Sequence, residues 1–270
     1  MMVDLAKIRH VVLDMDGTIY LGKKLFPQTR PFLDGLARMG IGHSYVTNNC
    51  SRSRAEYVHH MREIGINADP SSISTSAHAT IHYLSVELPH VRRLFVHGTP
   101  GLKDDFRLAG FDVVDQDPEA VIVGFDTALT YDGLAHTAYW ISRGLPYVAT
   151  HPDRVCPTDR AIVLPDCAAI CALFETATGR RPQAIPGKPD RLMLESEFAQ
   201  HDVAPDEVAL VGDRLYTDIR MARDAGAVAV LTLTGETKRS DVDNCPADQR
   251  PDLIIENLAE LAKLLESARN

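Results

Sequence analysis

No apolar run in this 270-residue sequence approaches the ~18 residues that a membrane-spanning helix needs. Basic runs are missing as well. The 28 Lys and Arg are scattered among 37 Asp and Glu, and the net charge is −9. That balance argues against nucleic acid or an anionic membrane surface as a partner. Cysteine is scarce: Cys50, Cys156, Cys167, Cys171 and Cys245 are odd in number and contain no C-x-x-C pair. A disulfide framework would be denser, and a zinc site would want closer ligands. Cys167 and Cys171 stand one helical turn apart, so they read either as two converging thiolates or as small apolar residues on a buried face. No linker rich in Pro, Gly or Ser marks a boundary, and no internal repeat is evident. Met1 to Arg9 has no long apolar core and no small-residue cleavage site, which argues against a secretory leader. With this cysteine usage the expectation is a soluble, cytoplasmic protein in a reducing compartment.

What is present is ordinary globular composition, 45% apolar and 24% charged. At roughly 100–200 residues per domain, the length allows one large domain or two ordinary ones. Short β-branched runs alternate with amphipathic stretches. The patterns predict strands at 10–14, 41–46, 94–96, 120–125, 147–150, 207–211, 228–233 and 252–255. Helices are predicted at 31–39, 52–64, 131–143, 167–178, about 217–225 and 257–267, several of them closed by a glycine. Such alternation means βαβ units and a parallel sheet, and the nearly unbroken apolar strand cores fit strands covered on both faces.

Four polar segments interrupt this grammar at strand ends. The first is Asp14-Met15-Asp16-Gly17-Thr18. A carboxylate closing an apolar strand needs a partner, and strand alternation would turn Asp14 and Asp16 to one side. Gly17 permits a sharp turn there. A turn-forming Asp-Gly would account for Asp16 but not for Asp14. The second segment is Thr47-Asn48-Asn49, a hydroxyl with successive N–H groups that could cradle a phosphate-sized anion, although Asn and Thr are also common in turns. The third is Gly187-Lys188-Pro189, where Pro189 suits the first turn of a helix and Lys188 would project beside its start. The fourth is Gly212-Asp213-Arg214-Leu215-Tyr216-Thr217-Asp218. Thr217 and Asp218 could simply cap a helix, whereas Asp213 has no such explanation. Open parallel sheets bind ligands beyond the carboxyl ends of their strands, where these segments fall. Two carboxylates from separate strand ends could also hold a magnesium ion.

The order D-x-D-G-T, T-N-N, G-K-P, G-D-x-x-x-T-D resembles the signature of the haloacid-dehalogenase-like superfamily of aspartate-nucleophile phosphatases. About a hundred residues separate T-N-N from Lys188. There, Val123-Gly124-Phe125-Asp126, Thr130-Tyr131 and Ala149-Thr150-His151-Pro152-Asp153 resemble the large α/β cap of the NagD and p-nitrophenyl-phosphatase subfamily. The resemblance implies an α/β fold, a doubly wound parallel sheet over 1–80 and 184–270, with an α/β cap inserted at 81–183. It implies Mg²⁺-dependent hydrolysis of a small phosphomonoester such as a sugar phosphate, nucleoside monophosphate or phosphoglycolate. By the same resemblance Asp14 is the nucleophile and Asp16 the acid–base group. Thr47, Asn48, Asn49 and Lys188 hold phosphate. Asp14, Asp213 and the Asp16 carbonyl hold the metal, with Asp218 behind them, and a homodimer can form through the cap.

Two departures stand out. Many subfamily members read A-T-N where this chain has Ala149-Thr150-His151, and P-G-x-G where it has Pro165-Asp166-Cys167-Ala168. Substrate choice should therefore lie in the cap, with the loop Asp153 to Thr158, including Cys156, and the turn at Asp166 as candidates. Asp166 could meet a substrate or merely cap the following helix. Other classes compatible with strand-end aspartates are a signalling receiver domain, a silent phosphate-ligand sensor and a phosphotransferase. The two-residue Asp spacing on the first strand and the large insertion speak against the receiver.

Overall fold

The structure is a computed structural model that describes residues 3–156 and 162–269. After a short 3-10 turn, β1 (His10–Asp14) enters fully buried and is followed by a small antiparallel ribbon, β2 (Tyr20–Leu21) with β3 (Lys24–Leu25). Helix α1 (Thr29–Arg38) buries Thr29, Phe32, Gly35 and Leu36 on one face, and Gly40 follows it at φ +67°. The chain continues through β4 (Gly42–Thr47), α2 (Arg54–Glu63), β5 (Ile73–Thr75), α3 (Ser76–Glu87), β6 (Arg93–His97) and α4 (Pro100–Leu108). Next come β7 (Asp112–Val113), β8 (Ala120–Val123), α5 (Tyr131–Ser142), β9 (Tyr147–Ala149), β10 (Val155–Cys156), β11 (Leu164–Pro165) and α6 (Cys167–Thr178). Helix α7 (Leu192–His201), β12 (Val208–Gly212), a π-turn at Leu215–Ile219 and α8 (Arg220–Ala225) lead to β13 (Val228–Thr232). Helix α9 (Arg239–Val242), β14 (Leu253–Ile255) and α10 (Leu258–Ser267) complete the described chain.

The chain divides into two compact units, 1–47 with 61–73 and 188–270, and 48–60 with 74–187. The first is built on a parallel sheet ordered β14-β13-β12-β1-β4-β5. The strand β1 lies between β12 and β4, with Asp14 beside Val46 and Leu13 beside Val211. This register aligns the carboxyl ends of the three strands, so Asp14, Thr47 and Gly212 share one sheet edge. Strands β1, β12 and β13 are buried along their whole length, as a sheet covered on both faces requires. Helix α10 contributes Leu258, Leu261 and Leu265 to that cover, and Asn257 accepts the Ala259 N–H to start it.

The second unit is a four-stranded parallel sheet, β7-β6-β8-β9. One face packs Leu94, Val96, Ile122 and Val148 with Leu84, Leu102 and Phe106. The other packs Phe95, Val121, Val123 and Tyr147 with Ile141, Ile170 and Phe174. Helices α3 and α4 and the ribbon β10–β11 lie where the sequence patterns showed no element. Helix α3 has little amphipathic contrast, because its one buried face, Ser76, Ala77, Thr80 and Leu84, carries two hydroxyl residues.

Candidate active site

Asp14 is the last residue of β1, so strand alternation does not extend to Asp16 as expected. The turn that follows places Asp16 instead. Gly17 takes φ +88°, its N–H donates to the Tyr20 carbonyl, and the Gly22 N–H donates to Asp16 Oδ1 at 3.1 Å. A Cβ on Gly17 would lie 2.6 Å from Asp213 Oδ2, so the turn and Asp213 are pressed together. Asp14 is 6% exposed, and its Oδ2 accepts the Thr18 hydroxyl at 3.2 Å.

Lys188 reaches the same place. Its Nζ donates to Asp14 Oδ1 at 2.5 Å, to Asp218 Oδ1 at 2.6 Å and to the Val46 carbonyl at 3.4 Å. The expectation that Pro189 opens a helix fails. Helix α7 begins at Leu192, where Asp190 receives the Leu192 N–H, so Lys188 sits in the turn before it. Asp218 lies on the π-turn, and its Oδ2 accepts the Arg214 N–H. Such turns recur where a helix must re-aim a side chain. Asp213 follows β12 directly, and its Oδ2 accepts the Glu236 N–H at 2.6 Å. Sequence reasoning missed that segment: Thr234 to Thr237 is a polar stretch just beyond the apolar strand β13, a position of the same kind as the others.

Charge here is out of balance. Burial pushes the Asp14 carboxyl up to about 6, against the downward pull of Lys188. Burial also depresses Lys188, but Asp14 and Asp218 outweigh it and hold the ammonium above its ordinary value. Asp213 is raised well above a normal carboxyl by burial and then by repulsion from Asp14 and Asp218. Asp14, Asp213 and Asp218 offer oxygens within 4.8 Å of one another, and the buried Asp213 Oδ1 has no hydrogen-bond partner among the described residues. One ammonium does not neutralise three carboxylates, and an orphaned buried oxygen beside two others fits a bound cation. His10, Glu197 and His201 also cluster, but the two rings stack at 4.0 Å with only 22° between planes, so their in-plane lone pairs run side by side and do not converge on one ion.

The second unit holds the other expected residues. Asn48 donates through Nδ2 to Asp153 Oδ1 at 3.1 Å. Asn49 accepts the Ser51 N–H and hydroxyl, and its Nδ2 lies 4.0 Å from Cys156 Sγ. With both side chains so engaged, a phosphate would meet these residues through their main-chain N–H groups. Cys156 lies on β10; Pro157 and Thr158 of the expected specificity loop lie outside the described residues. Asp166 is 2% exposed and accepts the Cys167 N–H at 2.6 Å at the start of α6, a contact that belongs to its reading as a helix cap. Cys167 and Cys171 are buried free thiols, and burial holds Cys167 well above the ordinary thiol value.

Residues 11–112 match the haloacid dehalogenase-like hydrolase family, and residues 185–261 match its HAD-hydrolase-like companion. The acid sugar phosphatase of Staphylococcus aureus is 32% identical over 255 residues, covering 93% of this chain and 97% of that protein. Among solved structures, a 4-nitrophenylphosphatase from Thermotoga maritima superposes with a TM-score of 0.90 at 37% identity, over 96% of this chain and 98% of the other. A glycerol phosphate phosphatase from Mycobacterium tuberculosis, solved in complex with magnesium, gives 0.88 at 30% identity, over 98% and 81%. The chain belongs to the haloacid-dehalogenase-like hydrolases, in the branch of NagD and p-nitrophenyl phosphatase. It is a phosphatase of small phosphorylated substrates, and phosphatases of this family use a divalent metal. Among the described residues, no helix is long and apolar enough to cross a membrane.

Proposed function

We propose that this phosphatase hydrolyses phosphomonoesters of sugars, nucleosides or small acids through a phosphoaspartyl intermediate on Asp14, with Mg²⁺. The observation that carries the reading is the buried cluster itself. Lys188 grips Asp14 and Asp218, while Asp213 presents an oxygen that no donor among the described residues satisfies. Asp14, Asp213 and the Asp16 carbonyl would hold the ion, with Asp218 beside them, and the all-oxygen donor set suits a hard cation. Bound there, the ion supplies the positive charge that lets a carboxylate and a phosphate dianion share one site.

The protein residues divide the remaining work. Lys188 and Thr18 fix the Asp14 carboxylate by one oxygen each, so its attack needs no search for orientation. The Asp14 oxygen forms a bond to phosphorus as the bond to the leaving oxygen breaks, and Asp16 gives that oxygen a proton. Asp16 then takes a proton from the water that attacks phosphorus, which frees Asp14 and inorganic phosphate. Thr47, the N–H groups of Asn48 and Asn49, and Lys188 hold the non-bridging oxygens. The unit containing 74–187 carries the choice of leaving group, since the four segments above supply chemistry common to any phosphomonoester.

A panel of phosphomonoesters assayed for phosphate release, with Mg²⁺, with EDTA and with Mg²⁺ restored, tests this. Many turnovers per enzyme, lost with EDTA and regained with Mg²⁺, are expected. A single phosphorylation without release would make the chain a receiver, and metal-independent turnover would remove the cation from the scheme.

A further inference from the structure

The sheet of the second unit reverses its winding direction at its centre. Strands β6 and β8 are parallel neighbours, and their last residues, His97 and Val123, lie side by side. From β6 the chain crosses through α4 to β7 on one flank, and from β8 it crosses through α5 to β9 on the other. Helix α4 packs Leu102 and Phe106 on one face of the sheet, and α5 packs Ile141 on the opposite face. Open parallel sheets bind ligands in the crevice that such a parting of crossovers leaves beyond the strands' carboxyl ends. A cavity of about 390 Å³ lies there, lined from both crossovers and set wholly within the second unit. That volume suits a ligand of monosaccharide size.

His97 lines this cavity and is 5% exposed, with its ring edge-on to Phe174 at 5.3 Å. The Thr137 hydroxyl gives its hydrogen to the Gly133 carbonyl at 2.6 Å, so it accepts from His97 Nδ1 at 2.8 Å. Nδ1 therefore carries the ring hydrogen, and the neutral ring offers Nε2 as a bare acceptor. Burial holds the imidazole below its ordinary value; Asp126 opposes that and Lys103 adds to it, so the ring is neutral at pH 7. Nε2 is buried and has no hydrogen-bond partner among the described residues. An acceptor left unpaired in this way costs free energy that a ligand's donor would restore. The walls extend the same preference. Asp115, Asp126 and Asp132 line the cavity against one ammonium, that of Lys103. Asp126 uses one oxygen on the Ala128 N–H at 2.8 Å, and Asp132 lies 3.3 Å from His136. An anion would meet a net negative wall, whereas hydroxyl and ammonium groups find a lone pair and carboxylates to receive them.

We propose that this cavity is a second binding site, for a small unphosphorylated polyol, neutral or bearing an amine, with a hydroxyl donated to His97 Nε2. None of the four strand-end segments contributes to its lining, so the site needs no phosphate chemistry.

The test uses the intact protein, labelled with nitrogen-15 at histidine, and three sugars of one ring size: glucose, neutral; glucosamine, cationic; and glucuronate, anionic. Calorimetry reads the affinity, and long-range proton–nitrogen spectra follow His97 Nε2 as the resonance lost in His97→Phe. Glucose and glucosamine are expected to bind saturably, glucosamine more tightly, and to move that resonance from a bare acceptor toward a hydrogen-bonded one. His97→Phe keeps a ring against Phe174 and leaves the Thr137 hydroxyl its carbonyl, and it should weaken both sugars by ~10-fold. Asp126→Asn keeps an oxygen for the Ala128 N–H and removes the charge, so glucosamine should weaken by ~10-fold and glucose by only ~3-fold. If His97→Phe does not fold, His97→Gln assigns the resonance and Asp126→Asn carries the comparison. Three results would each overturn the site: binding of none of the three sugars, glucuronate binding as tightly as glucosamine, or sugar affinity unchanged in the variants.

Discussion

Replacing His151 by Asn should remove a pH dependence from the stability of the second unit. In the folded protein burial depresses the imidazole, but the carboxylates of Asp166 and Asp153, with Cys50, raise it to about 9, whereas in the unfolded chain it has its ordinary value of ~6.5. The folded state thus binds the proton more tightly, and the stabilisation is complete below pH ~6.5. As pH climbs through the folded value it is lost, because the folded protein must then give up a proton that the unfolded chain released earlier. The interval between ~6.5 and about 9, at ~1.4 kcal/mol per pH unit, amounts to ~3 kcal/mol. The full value applies because His151 is completely buried, so solvent does not screen its partners. The sequence contains one tryptophan, Trp140, on α5 in the same unit, which provides a local fluorescence probe. Urea unfolding followed at Trp140 between pH 6 and 9.5 should show the wild-type advantage over His151→Asn shrinking by ~3 kcal/mol as pH rises. A constant gap between the two proteins across that range would refute the argument, because it would mean that folding leaves the imidazole at its ordinary value.

Asp14→Asn removes the attacking charge at nearly constant size and should lower turnover by at least ~10³-fold, so residual phosphate release above a tenth of wild type would count against the nucleophile. Asp16→Asn should slow alkyl phosphates more in the first step than p-nitrophenyl phosphate, whose leaving group scarcely needs a proton, and stopped-flow should show a nitrophenol burst as phosphoenzyme accumulates. Equal losses on both substrates without a burst would remove Asp16 from acid–base work. Asp213→Asn should weaken the metal, so that part of the lost rate returns at high Mg²⁺; an unchanged magnesium optimum would speak against it as a ligand. Gly17→Ala forces a Cβ to 2.6 Å from Asp213 Oδ2 at a backbone φ of +88°, so Tm and magnesium affinity should fall together, and a variant normal in both would show that the turn has slack.

Strand ends were legible in the sequence because a carboxylate after an apolar run has few packing explanations, whereas Thr47-Asn48-Asn49 by itself was equally open to a turn reading. Asp14, Thr47 and Asp213 all occupy such ends, and the parallel register brings Asp14, Thr47 and Gly212 to one edge. Helix α6 was equally plain, since Asp166 before it and Gly179 after it bracket its apolar stretch. Helix α3 was not legible, because its buried face, Ser76, Ala77, Thr80 and Leu84, is half hydroxyl-bearing and leaves no apolar period, and α7 was misplaced, because its start is set by Asp190 and not by Pro189.

The site divides along the same line. Local chemistry determined which residues could attack, donate protons or bind an ion, because those capacities belong to residue types and to the strand ends that display them. Tertiary structure alone decided which charges share a partner. Lys188 lies far along the chain from Asp14 yet donates to it at 2.5 Å, and Asp218 took up the same ammonium where a helix cap was an equal reading. His151 and Asp166 looked like separate departures until the sheet of the second unit set them 3.5 Å apart. The physical reason is the range of the interactions: capping, turns and strand alternation act within a few residues, whereas a buried charge is satisfied only by whatever the completed fold places against it.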